Sequence, residues 1–129
     1  MVELGSERRR EFRLSTAGGE YRVSFHFRGR HVAQARLANL SAGGCGLEIQ
    51  MADAWDLEPG AELDELFLLH PDLPCVPLRG VVVRMLGKVP GKTSGYVLAG
   101  VEFTLMTPFV RQLIRDHVDS CVHATPDAP

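Results

Sequence analysis

Four guanidinium groups fall within one short stretch, Arg8-Arg9-Arg10-Glu11-Phe12-Arg13. Arg9 and Arg13 are four positions apart, which puts them on one side of the chain whether it is helical or extended. Each guanidinium offers a planar fork of donors that fits a phosphate, or the O6/N7 edge of guanine, with two bonds. Each also has a flat face that stacks on a base. Lysine supplies the charge without that geometry. Taken alone, the run reads as a solvated basic leader.

The second segment with chemical capacity is Asn39-Leu40-Ser41-Ala42-Gly43-Gly44. Asn39 and Ser41 are two apart at a strand end, so their amide and hydroxyl share a face and can pair with a base edge. Gly44 is expected to turn the backbone through positive φ and to let a ligand come close to the main chain. In isolation this too reads blandly, as an Asx- or Ser-stabilised turn.

The elements that must position these segments are mostly strands. Tyr21, Val23, Phe25 and Phe27 alternate with Arg22, Ser24 and His26, the period of a half-buried strand over 20–28. Gly29-Arg30 turns the chain into a second strand over 31–38. Leu47, Ile49 and Met51 alternate again, and 63–70, 78–89 and 96–105 read as further strands, the last two joined by a hairpin loop over 90–95. Thr107-Pro108 supplies an N-cap and a proline at the first helical position, followed by Phe109, Val110, Leu113, Ile114 and Val118 at helical spacing. The expected organisation is an arginine-bearing flexible leader over 1–14, a single β domain over 15–123 with a helix over about 107–122, and a frayed tail over 124–129.

Composition narrows the function. The chain has 129 residues, 45% apolar and 23% charged, with net charge −2, so no global basic field suits a polymeric nucleic acid. Acidic residues gather between Asp53 and Asp72. No stretch is long and apolar enough to insert in a membrane, and the N-terminus lacks the pattern of a secretory signal. Cys45, Cys75 and Cys121 form no C-x-x-C pair and read as buried reduced thiols, which points to the cytoplasm. The five histidines do not converge in sequence, and His70, Asp72 and Cys75 do not read as a metal site. No nucleophile motif or phosphate loop marks an enzyme, so no catalytic residue is assigned. Trp55, in an acidic loop, is expected to pack partly over the β unit.

Together the two segments say more than either alone. An R-x-x-x-R before the first strand and an N-x-S-x-x-G after the second resemble the bacterial PilZ domain family, over roughly 7–122. Pro59-Gly60, the Gly80–Arg84 run and Ala99-Gly100-Val101-Glu102-Phe103 ahead of a terminal helix support the match. The resemblance implies an all-β, six-stranded antiparallel, split-barrel-like fold with one C-terminal helix. It implies no cofactor, cyclic di-GMP as ligand, and an unidentified protein partner downstream. It assigns Arg9 and Arg13 to guanine and phosphate, and Asn39, Ser41 and Gly44 to a guanine edge. Arg8 would be the extra arginine that favours a self-intercalated ligand dimer, with Arg10 as an alternative register. Asparagine at the first position of the turn replaces the commoner aspartate.

Two other classes compete. A barrel of the same fold could bind only protein, which the intact Arg9, Arg13, Asn39, Ser41 and Gly44 disfavour. A barrel for single-stranded nucleic acid needs aromatics interleaved with basic residues on an exposed face, whereas here the aromatics alternate as a core stripe.

Overall fold

The computed structural model describes residues 14–16 and 20–123. The chain order is β1 (Leu14–Ser15), β2 (Arg22–Phe27), β3 (Arg30–Ser41), β4 (Gly44–Gln50), α1 (Met51–Ala54), β5 (Glu62–Leu69), β6 (Leu78–Leu86), β7 (Tyr96–Thr104) and α2 (Pro108–His123). Every strand pairing is antiparallel. From β3 the sheet runs through β2, β5, β6, β7 and β4 and returns to β3, closing a six-stranded barrel, while β1 adds a short pairing along β3.

Alternation fills this barrel. Val23, Phe25 and Phe27 from β2 meet Leu37, Leu47, Ile49, Leu63, Leu66 and Val82 in one continuous core. The inward period slips at bulges, including one between Val23 and Phe25 that also buries Ser24. The break after β4 begins with the short helix α1, an element with no sequence signal of its own. It is held from outside by Arg30, which ion-pairs with Asp56 and donates to the Asp53 carbonyl at 3.1 Å. Trp55, directly after α1, is 66% exposed and lines an open groove with Met51, Leu57 and Met85. Cys45 is buried, but Cys75 is exposed, because the proline-flanked connection after β5 runs over the surface.

α2 lies over β1 and β3 and buries Ile114 and Val118. The Thr107 hydroxyl accepts from the Val110 amide at 3.3 Å, an N-cap that starts the helix. Further along, α2 is tied down by a polar cluster that local sequence could not reveal. His117 Nε2 lies 2.9 Å from the Tyr21 hydroxyl and 3.6 Å from Cys121 Sγ. His70 stacks on Tyr21 at 4.1 Å between ring centroids and meets His117 edge-on at 5.3 Å, and its Nδ1 accepts from the Asp72 amide at 3.1 Å. Burial pushes the His117 imidazole below its ordinary 6.5, and His70 adds to this while Asp72 partly offsets it. Burial likewise raises the Tyr21 phenol, with Cys121 and Asp72 adding to the rise.

The pH consequence follows from linkage. With a depressed folded pKa, the unfolded chain binds more protons than the folded one just below pH 6.5, so stability rises with pH there. Full stability from this group is therefore present above pH 6.5 and is lost progressively as pH falls towards the lowered value. Melting temperature should drop on acidification below 6.5, and His117→Gln should flatten that part of the profile. Thermal melts across a pH series check both.

Candidate ligand-binding site

The Asn39–Gly44 segment forms the tip of the β3–β4 hairpin, with Ser41 paired to Gly44 and Asn39 paired to Gly46. The tip is fastened from three sides. The Ser41 hydroxyl, buried, donates to the Gly44 carbonyl at 3.3 Å. The Phe103 amide donates to the Gly43 carbonyl at 2.9 Å, and Arg111 of α2 reaches the Ala42 carbonyl at 3.4 Å. The bend is thus part of the barrel frame.

Beside it opens a cleft of about 440 Å³ on the outer face of β4, β7 and β6. Its floor follows from register. Asn39 lies opposite Gly46, Gly46 opposite Gly100, and Gly100 opposite Arg84, one row across four strands. Two adjacent glycines make that row bare backbone, flanked by an amide at one end and a guanidinium at the other. The span from Asn39 to Arg84 is three strand spacings, roughly 14 Å. The next row runs from Ser41 through Gly44 to Glu102, whose exposed carboxylate also lines the cleft.

The glycines act through space. Gly44 does not have the positive φ expected of it; a side chain is excluded because a Cβ there would lie 2.3 Å from the Val101 carbonyl oxygen. At Gly46 a Cβ would lie 2.7 Å from Asn39 Nδ2 and 3.0 Å from its Oδ1, so the missing side chain is what leaves room for the Asn39 amide over β4.

The structure therefore brings Asn39, Ser41 and Gly44 together at one cleft, while Arg8, Arg9 and Arg13 lie outside the described residues. Arg84, Gly46, Gly100 and Glu102 were not assigned from sequence. Their signal was the outward phase of β4, β6 and β7, which acquires meaning only once the strands are paired. Among the described residues, no group of three His, Cys, Asp or Glu side chains is arranged to hold a metal ion. No helix among them is long and apolar enough to cross a membrane.

A family profile described as PilZ domain matches residues 7–120. The chain belongs to the PilZ domain family. Among solved structures, the PilZ domain with c-di-GMP of YcgR from Escherichia coli is similar with a TM-score of 0.71 at 19% identity, covering 94% of this chain and 97% of that one. The K. pneumonia MrkH–c-di-GMP complex is similar with a TM-score of 0.72 at 16% identity, covering 95% of this chain and 56% of MrkH. These likenesses establish the shared PilZ barrel. A curated relative, S-adenosylmethionine:tRNA ribosyltransferase-isomerase of Burkholderia cenocepacia, is 29% identical over 82 residues. The match takes in 63% of this chain and only 22% of that protein, too little to carry its activity across.

The tightest contact of this PilZ hairpin gives a direct stability test. Gly44→Ala should force β4 and β7 apart and cost about 1–3 kcal/mol, as overpacking does. Urea unfolding should show a lower midpoint, and hydrogen exchange should speed up first at the paired amides of β4 and β7.

Proposed function

We propose that this chain is a cytoplasmic receptor module for cyclic di-GMP, with no catalytic role, that passes the signal to a protein partner. The observation carrying this reading is the glycine-floored cleft at the Asn39–Gly44 hairpin of a PilZ barrel. Bare backbone across Gly46 and Gly100 lets a flat base approach the sheet. Asn39 at one end, on a bend that the Ser41 hydroxyl holds, and the guanidinium of Arg84 at the other offer edge pairing and a stacking plane. The similar PilZ structures of YcgR and MrkH hold c-di-GMP.

Arg8, Arg9 and Arg13 belong to the same proposed site. Leu14 pairs with Leu40, one residue before Ser41, so the chain segment carrying the arginines is attached beside the cleft. Consecutive Cα atoms are about 3.8 Å apart, which ties the C-terminal end of that segment to the hairpin. In this reading a dianionic dinucleotide orders the arginine arm over the cleft, making a new surface of arm, ligand and barrel. Charge supports the division of labour. Arg84 and Glu102 offset each other at the cleft, so the ligand phosphates need cations from the arm.

Calorimetric titration with cyclic di-GMP, with cyclic di-AMP and GMP as controls, tests the reading. The wild-type protein should give saturable heat only with cyclic di-GMP. Arg13→Ala should lose about 1.5–3 kcal/mol of binding, roughly ten- to a hundredfold in affinity. Gly46→Ala, which pushes the Asn39 amide aside, should weaken binding by about tenfold or more while leaving the fold intact. Equal heats for wild type and Arg13→Ala would remove the arm from the site. Absence of any heat would leave a PilZ barrel that binds only protein.

A further inference from the structure

We propose that the groove between the end of β7, the start of α2 and the bulge of β5 is a docking surface for a partner protein presenting a basic amphipathic segment. Three features converge there. The first is exposed apolar surface. Leu105 is 80% and Phe109 71% exposed, and Val76, Met106 and Val110 are only partly covered. Phe109 and Leu113 are four apart on α2 and share a face, and exposed Leu105 lines the groove just before the helix begins.

The second feature is backbone strain. Arg28, Glu65 and Leu105 are the non-glycine residues with positive φ among the described residues, and two of them, Glu65 at 44° and Leu105 at 53°, line this same groove of about 730 Å³. Arg28 sits in a tight turn before Gly29, where such a conformation has an obvious use. Leucine has no local hydrogen bond to compensate for left-handed backbone. Nor does the barrel gain from holding its side chain there, since that side chain points into solvent. Strain held in place by the surrounding fold at an exposed apolar residue fits a contact made with something else.

The third feature is charge. The register of β5 slips between Leu63 and Leu66, and the bulge turns Asp64 and Glu65 out in succession beside exposed Glu62. Asp64, Glu65 and Arg79 line the groove, where Arg79 meets Asp64 at 3.3 Å and His26 meets Glu65 at 3.5 Å, while Glu62 lies just outside it. Carboxylates therefore outnumber the arginine on this wall, and the complementary occupant carries lysine or arginine beside its apolar residues. An amphipathic helix laid in a groove, with apolar anchors at i and i+4, matches that pattern. The surface is also next to the ligand cleft. Outward positions Gly100 and Glu102 of β7 line the cleft, and Thr104 and Leu105 line the groove.

The surface does not depend on the cleft taking a dinucleotide, so it is tested without one. The probes are two short, fluorescently labelled helical peptides with the same i, i+4 leucine stripe, one flanked by lysines and the other by glutamates. Titrated into the full chain, the lysine peptide should bind saturably and perturb the amides of Leu105, Phe109 and Val76. The glutamate peptide should bind at least about tenfold more weakly. Leu105→Gly and Phe109→Ser should each weaken the lysine peptide by a similar factor, and Leu105→Gly should keep or raise the melting temperature, since glycine accepts this φ. The proposal is overturned if the lysine peptide shows no saturable binding, if both peptides bind equally, or if the variants bind as wild type does. Shifts centred on exposed Trp55 instead would also overturn it, as would a fall in melting temperature on Leu105→Gly.

Discussion

One strand serves three partners, and the rest of the molecule depends on that sharing. β3 is twelve residues long. Its first half pairs with β2, and from Arg36 onward it pairs with β4, with β1 added at Asn39 and Leu40. Closure through β3 leaves no long open edge, which removes the aggregation liability of an unpaired strand. It also fixes what lies at the end of β3. Asn39 and Ser41 are held by a strand whose other half is buried in the core pairing of β2, and Arg111 and Phe103 clamp the bend that follows. A polar hairpin built this way is fixed by the barrel itself.

The barrel was legible in the sequence because strand alternation is a local signal. Tyr21 to Phe27 gives a core stripe, with Val23, Phe25 and Phe27 fully or nearly fully buried. Turn residues at Gly29-Arg30 and over 90–95 mark the hairpins, and the terminal helix announces itself through Thr107-Pro108. What was not legible is whatever arises from pairing across long separations. Tyr21 and His117 are 96 positions apart, and no periodicity brings them to 2.9 Å. His70 and His117, far apart in sequence, are two walls of one cluster in space.

Glycine was misread for a related reason. In sequence, Gly43-Gly44 and Gly46 look like turn formers, and left-handed backbone is the usual inference. Gly44 and Gly46 instead sit within β4, where the constraint is lateral crowding from Val101 and Asn39 rather than dihedral freedom. Gly100 lies inside β7 and appears in sequence only as part of a family-like run, yet it completes the bare floor. Two glycines paired across neighbouring strands, within a row of four, have no sequence period. Their pairing is a property of register, and register is set by the closure at β3.

Electrostatics gives that floor its meaning in the proposed reading. A cleft walled by one guanidinium and one carboxylate does not by itself attract a dianion, so affinity must come from outside the barrel. Fixing each arm residue costs about 1–2 kcal/mol of backbone entropy. A single charge-assisted contact returns about 1.5–3 kcal/mol, so one arginine scarcely offsets the ordering of its own neighbours. Several arginines on one short segment, meeting two phosphates and two base edges at once, return more than they cost. The barrel would then select by geometry and the arm by charge. A mononucleotide that satisfies only one of them would leave the arm's ordering cost unmatched.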